Sequence, residues 1–315
     1  MTNESFYSLI STMVVLFLML ATGFVARKAG IIDDIASKRL SKLIVCVGQP
    51  MMIINALIKM EYSSAKAQEG LIILAVGMAL HIFMSICAFF GAKAVKNIDE
   101  KKITEFSIIF ANAGFIGFPI LKSIFGDTGE FWGSFYVVAF NIFVWTWGMV
   151  ILSRGRDDIR MTPRKVLLNY GTIPCAIGLI LYFLTQWIEI PEFVVSYTGF
   201  LSNLCTPISV LIVGALIAKQ TPKQIFADPK IYYVCFFRLI LIPVVVCLIE
   251  KALGLPSYII LFSAAVSAMP CATNITMFAE LYEIAPGYAS LTVGVSSLFT
   301  VVTLPLVMLF ANLIA

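Results

Sequence analysis

A chain of 315 residues that is 60% apolar and only 13% charged lacks the charge of a water-soluble domain, where about a quarter of residues are ionic, and it reads as an integral membrane protein. The formal charge of +4 does not mark a nucleic-acid binder, because the basic residues fall in short loops between apolar segments and form no single field. A lone histidine, His81, excludes a multi-histidine zinc site. Seven cysteines without a Cys-x-x-Cys pair are expected to be reduced thiols in or near membrane segments.

Crossing the hydrocarbon core takes about 20 apolar residues. Ten stretches qualify: 6–26, 40–60, 70–92, 104–125, 131–152, 166–187, 195–218, 231–250, 257–281 and 287–313. The segment before the first, Met1 to Ser5, has no basic residue and holds Glu4, so no cleavable signal peptide is expected. Connections are short and leave no room for a soluble domain. Lysine and arginine concentrate after spans 1, 3, 5 and 7: Arg27, Lys28, Lys38, Arg39 and Lys42; Lys93, Lys96, Lys101 and Lys102; Arg154, Arg156, Arg160, Arg164 and Lys165; Lys219, Lys223 and Lys230. Lys59, Lys66, Lys122 and Lys251 lie on the other side. Basic residues are held on the cytoplasmic side, so a multi-pass protein of the cell membrane with both termini outside is expected.

Span 4 carries Asn112-Ala113-Gly114-Phe115-Ile116-Gly117-Phe118-Pro119. Glycine costs about 1 kcal/mol and proline roughly 3 kcal/mol in a helix interior, so this stretch predicts a broken helix, with Pro119 in the first turn of the second half. Span 9 repeats the device in Ser267-Ala268-Met269-Pro270-Cys271-Ala272-Thr273-Asn274. Non-helical backbone at bilayer depth survives where it is buried in protein or lines a watery cavity. Interrupted segments at matched positions of two halves point to a carrier's binding site.

Ten spans divide into five plus five, and an odd number per repeat makes the halves inverted copies. The first repeat is read as 6–152, a short cytoplasmic loop as 153–165, and the second repeat as 166–313. Three echoes support the division. Span 2, from Leu40-Ser41-Lys42-Leu43 through Pro50 to Ala56-Leu57-Ile58, resembles span 7, from Leu201-Ser202-Asn203-Leu204 through Pro207 to Ala215-Leu216-Ile217. Spans 4 and 9 are both broken, and Asn141 in span 5 has a polar counterpart region at Ser296, Ser297 and Thr300 in span 10.

Two broken helices running in opposite directions start their second halves near the midplane. Each such end carries roughly +0.5 charge, and an anion is the natural guest. Asn112, Thr273 and Asn274 add neutral donors and acceptors, and Gly114 and Gly117 allow close approach to the backbone. A small organic carboxylate fits. The plainer reading is that each break is a structural kink and each asparagine a link between helices; the matched pair favours the site. Arg238 either attracts the anion or extends back to the cytoplasmic surface. His81 is either bonded to a neighbour or a proton relay. Gln49 and Asn55 either face the cavity or join helices, and Trp132, Tyr136, Trp145 and Trp147 divide between interface belt and packing. No span has an aspartate or glutamate in its interior, which disfavours proton symport through a buried carboxylate. Embedded paired aspartates and clustered histidines are missing too, so no intramembrane protease is expected and the chain is read as a non-enzyme.

Asn112-x-x-x-x-Gly117-x-Pro119 with Leu121 and Phe125-Gly126 resembles the fourth-span crossover of the auxin efflux carrier family. Ala268-Met269-Pro270, Phe278-Ala279-Glu280-x-Tyr282 and Thr303-Leu304-Pro305 resemble its ninth and tenth spans. The resemblance covers essentially the whole chain. It implies an all-α membrane protein of ten helices in two inverted five-helix repeats with crossing helices 4 and 9, the plan shared with bile acid symporters. It also implies a scaffold of spans 1, 2, 6 and 7, a mobile unit of spans 3 to 5 and 8 to 10, elevator-type motion, and a homodimer contacting through the scaffold. By motif it puts Asn112, Pro119 and Pro270 at the site. The family includes plant auxin carriers and bacterial permeases for malate, malonate and related acids. Ile275 stands where plant carriers have a second proline, and the central loop is short; both features point to a bacterial-type permease. The expected site is therefore Asn112, Gly114, Gly117, Pro119, Pro270, Thr273 and Asn274, with Asn141 and Gln49 beside it and Arg238 as an anion attractor. No cofactor is expected, and a coupling ion, sodium or proton, stays open. Two alternatives stand beside the carboxylate carrier: a sodium-coupled organic anion symporter, in which Gln49, Asn112, Thr273 and Asn274 ligate sodium, and a non-transporting membrane sensor.

Overall fold

The computed structural model describes residues 3–156, 168, 171–221, 225 and 228–315, and the regular elements among them are helices. In chain order they are α1 (Glu4–Lys28), α2 (Asp34–Ile58), α3 (Ser64–Ala94), α4 (Ile98–Ile109), α5 (Gly117–Phe125) and α6 (Asp127–Ser153). Then follow α7 (Thr172–Leu184), α8 (Glu192–Lys219), α9 (Pro229–Ala252), α10 (Ser257–Ser267), α11 (Asn274–Leu281) and α12 (Pro286–Ile314). Seven of them, α1, α2, α3, α6, α8, α9 and α12, are long and apolar enough to cross a membrane. The expected loop at 153–165 beyond Arg156, the start of the sixth span, and Arg160, Arg164, Lys165 and Lys223 lie outside the described residues.

The starts of these helices are set by polar caps where the chain leaves the apolar phase. Asp33 accepts from the Ala36 amide at 2.6 Å, Ser63 from Lys66 at 3.1 Å, Asn97 from Asp99 and Glu100 at 3.0 and 3.1 Å, and Asp228 from Lys230 at 3.0 Å. Each satisfies backbone donors that the first helical turn leaves free. The fourth expected span, 104–125, is two helices: α4 starts six residues earlier, and 110–116 are not helical. The ninth, 257–281, is α10 and α11 with 268–273 between them.

Helix α1 packs along the second half of α8, and α7 packs on the second half of α2. The first of these contacts is backbone against backbone. A Cβ on Gly214 would overlap the Leu20 carbonyl, and one on Gly23 the Leu211 carbonyl, so glycine sets the approach, as small residues do between membrane helices. Helix α3 packs on α6, and α9 on α10 and α12. Trp132 and Tyr136 belong to the core and not to an interfacial belt: they are 7% and 0% exposed, and both rings meet Phe262. His81 is likewise core. Its Nδ1 pairs with the Gly77 carbonyl at 2.7 Å, and its ring sits among Phe110, Tyr136, Phe140 and Phe143.

Candidate functional site

The two breaks meet. Ala111 pairs antiparallel with Cys271; the Asn112 amide donates to the Pro270 carbonyl at 2.8 Å, and the Ala272 amide to the Phe110 carbonyl at 2.9 Å. Pro270 has no amide hydrogen, and the pairing uses only its carbonyl. The Cys271 amide donates to the Ser296 hydroxyl of α12 at 3.1 Å. At the bridge itself, Asn112, Cys271 and Ala272 thus find backbone or hydroxyl partners for their amides, which buried backbone at bilayer depth needs.

Beyond the bridge each chain turns into its second half-helix. The Gly117 amide donates to the Asn112 carbonyl at 3.0 Å and Phe118 to Gly114 at 3.3 Å; Ile275 donates to Ala272 at 3.2 Å and Thr276 to Thr273 at 3.1 Å. Pro119 falls in the first turn of α5, where a missing donor costs nothing. Among the described residues, the amides of Gly114, Phe115 and Ile116 before α5, and of Thr273 and Asn274 at the start of α11, make no hydrogen bond. Two helix N-termini with free donors therefore lie at the ends of one paired crossing. Asn112 is 3% exposed, and its Nδ2 is buried without a hydrogen-bond partner. Such a donor is costly to leave unmet, by about 1–3 kcal/mol.

A cavity opens toward each end of the long helices α2 and α8. The first, about 500 Å³, is lined by Met52 and Asn55 of α2 and Lys59 just after it, Phe118, Pro119 and Lys122 of α5, Glu130 of α6, and Gly199, Asn203 and Thr206 of α8, among others. The second, about 430 Å³, lies between the other ends of the same helices, with Ser41, Lys42 and Cys46 of α2, Ile212 and Leu216 of α8, and Thr276, Met277, Phe278, Glu280, Leu281 and Tyr282 of α11 and its end. A smaller void of about 30 Å³ adjoins the second and contains Phe115, Thr273 and Asn274. Between the cavities the crossing is closed by side chains. The Thr206 hydroxyl donates to the Phe115 carbonyl at 2.7 Å, and a Cβ on Gly114 would stand 3.4 Å from the Met52 methyl. One on Gly117 would stand 2.8 Å from the Met269 sulfur.

The crossing brings together Asn112, Gly114, Gly117, Pro119, Pro270, Thr273 and Asn274. Pro270 faces a small void of about 20 Å³ with Ile116, Ser297 and Thr300. Asn141 is held elsewhere: its Nδ2 donates to the Val137 carbonyl at 2.8 Å and to Cys175 Sγ at 3.8 Å, and it lines neither large cavity. Gln49 is buried in α2 and also lines neither. Asn55 both faces the first cavity and joins helices, donating to the Val195 carbonyl and the Thr198 hydroxyl at 2.9 Å each. Arg238 does not reach back to a surface; it is 0% exposed and lies against the crossing. At the mouth of the first cavity Lys59 and Lys122 both meet Asp127 and Glu130, at 3.2–3.6 Å. Sequence reasoning missed this cluster and Thr206. Lys59 and Lys122 were visible as two of the few basic residues on the lysine-poor side, but nothing in their spacing joins the end of α2 to α5.

Two segments, residues 8–163 and 156–308, match a family model described as a membrane transport protein. The chain is 21% identical to an uncharacterized transporter of Methanocaldococcus jannaschii, covering 93% of this chain and 96% of that protein. It is 20% identical to an uncharacterized transporter of Methanothermobacter thermautotrophicus, covering 94% and 96% respectively.

Proposed function

Because this chain belongs to the membrane transport protein family, the family of the auxin efflux carriers, we propose that it is a secondary carrier for a small organic anion, a mono- or dicarboxylate. The observation that carries the reading is the paired crossing itself. Two half-helix N-termini offer unbonded amides beside a buried Asn112 amide that has no partner, and this is a set of donors with no acceptor. A carboxylate supplies the acceptor: its oxygens take the amides near Gly114 to Ile116 and near Thr273 and Asn274, and Asn112 Nδ2 completes the shell. Each terminus adds about half a positive charge.

The two cavities support alternating access. Helices α2 and α8 run past the crossing and line both, so a shift of the crossing along them opens one cavity onto the anion and closes the other. The packing of α1 on α8 and of α7 on α2 fits a fixed scaffold, with α3 to α6 and α9 to α12 as the moving unit. We read the chain as ten crossings in two inverted repeats, counting α4 with α5 and α10 with α11 as single spans; α1 against α8 and α7 against α2 are then equivalent contacts. The first cavity faces outward by the lysine distribution. With the cell interior negative, each negative charge that leaves gains about 2.3 kcal/mol per 100 mV, so efflux or exchange of the anion needs no coupling ion.

Counterflow tests this. Liposomes with the purified protein are preloaded with unlabelled malate, malonate, lactate or indole acetate, and entry of the labelled acid is followed without an ion gradient. Accumulation of one acid, competed by its relatives, is the expected result. Exchange only after sodium is added would replace the reading by a sodium symporter, and no exchange of any acid with or without sodium would overturn it.

A further inference from the structure

Arg238 is among the largest fully buried side chains of the protein, and the groups its guanidinium meets are four carbonyls and a thioether. Nε donates to the Met269 carbonyl at 3.2 Å, Nη1 to Ile108 at 3.0 Å and Ile109 at 3.4 Å, and Nη2 to Val266 at 3.3 Å; Nη1 also lies 3.0 Å from Met84 Sδ. Ile108 and Ile109 form the last turn of α4, Val266 lies in the last turn of α10, and Met269 is two residues beyond it. One guanidinium therefore gathers the carbonyl ends of both first half-helices.

The charges can be added. Each helix C-terminus carries roughly −0.5 and each N-terminus roughly +0.5. The ends of α4 and α10 together supply about −1, which the guanidinium's +1 offsets. The starts of α5 and α11 supply about +1, and among the described residues no acidic side chain hydrogen-bonds to their free amides. Without Arg238 the four ends would sum to about zero and would not favour an anion. With it the empty crossing holds about one net positive charge, and one bound carboxylate brings it to neutrality. Arginine suits the position, because its planar fork spreads five donors over four carbonyls while its charge is permanent. The wide π-helical turn Phe237–Leu241 around it is a kind of irregularity often found at functional sites.

We propose that Arg238 is the positioning residue and fixed counter-charge of the crossing: it locks the two carbonyl ends together and sets the site to accept a single negative charge. The inference rests on the anion-carrier reading and narrows it to monocarboxylates. In the moving unit the loaded site then crosses the field without net charge, so exchange of a monoanion is insensitive to membrane potential, whereas a dianion drags one uncompensated charge.

Counterflow of lactate, indole acetate, malate and malonate with and without an imposed potassium diffusion potential tests it, on the wild type and on Arg238→Lys and Arg238→Gln. Wild-type exchange of a monocarboxylate should change less than twofold with potential. Arg238→Lys should keep that insensitivity at a lower rate. Arg238→Gln should weaken the apparent affinity at least tenfold and make the residual exchange potential-dependent, an effect that a purely structural cap would not produce. If Arg238→Gln does not fold, the wild type and Arg238→Lys decide. Monoanion exchange that slows severalfold under potential overturns the proposal, as does exchange confined to malate and malonate, or an Arg238→Gln protein with wild-type affinity; in each of these the carrier reading stands. Failure of the wild type to exchange any of the acids removes the carrier reading, and this inference with it.

Discussion

Replacing Asn112 by leucine separates the two roles an asparagine at this position can have. Its backbone contributions, the amide donating to the Pro270 carbonyl and the carbonyl accepting from the Gly117 amide at 2.8 and 3.0 Å, survive the change to leucine. Its Nδ2 has no partner in the empty crossing, so removing it breaks no bond and relieves a desolvated donor that costs about 1–3 kcal/mol. Leucine has nearly the same shape and leaves little cavity. If the amide serves an anion, its loss removes a hydrogen bond to a charged group, about 1.5–3 kcal/mol, or roughly a 10- to 150-fold weaker apparent affinity. The expected signature is thus opposite in sign for the two readouts: labelled acid entry into liposomes falls by that factor at low substrate, while the thermal midpoint of the purified protein holds or rises. A leucine variant that transports as well as the wild type refutes the reasoning. A variant that loses transport together with stability assigns Asn112 to the fold instead.

Three further outcomes follow from the packing. Ser296→Ala strands the buried Cys271 amide, which now takes that hydroxyl at 3.1 Å, and should cost about 1–3 kcal/mol; Ser297→Ala removes only a bond back to its own helix at Val293 and should leave the thermal midpoint nearly unchanged. Gly214→Ala should destabilise by about 1–3 kcal/mol, because the new methyl runs into the Leu20 backbone, whereas Gly287→Ala, with open space at its Cβ, should be neutral or better in the same melt. Lys59→Gln breaks the link from α2 to Asp127 and Glu130; ion pairs this exposed contribute about 0–1 kcal/mol, so transport should change less than about fivefold, and a hundredfold loss would mean that Lys59 touches the substrate.

Much of this was legible in the sequence, for physical reasons that act locally. A bilayer demands long apolar runs, so ten candidate spans stand out by composition, of which seven are single helices long and apolar enough to cross a membrane among the described residues, and the family is carried by the spaced asparagine, glycines and prolines of the two interrupted runs. Glycine and proline oppose a helix wherever they fall, so the positions of both breaks, at 110–116 and 268–273, could be anticipated from Gly114, Gly117, Pro119 and Pro270. What the sequence could not decide is which distant groups meet. Arg238 reads the same whether it reaches for the membrane surface or for a neighbour; the four carbonyls that hold it come from Ile108, Ile109, Val266 and Met269, at the ends of two other segments of chain. Asn141 shares the polarity of Asn112, yet it is turned to Cys175 and not to the crossing, because a helix face is chosen by its neighbours and not by its own composition. Lys59, Lys122 and Thr206 acquire their surroundings only when α2, α5 and α8 close around one cavity. Hydropathy and backbone propensity therefore fixed the spans and their interruptions, whereas the partners of every embedded polar group were set by long-range packing.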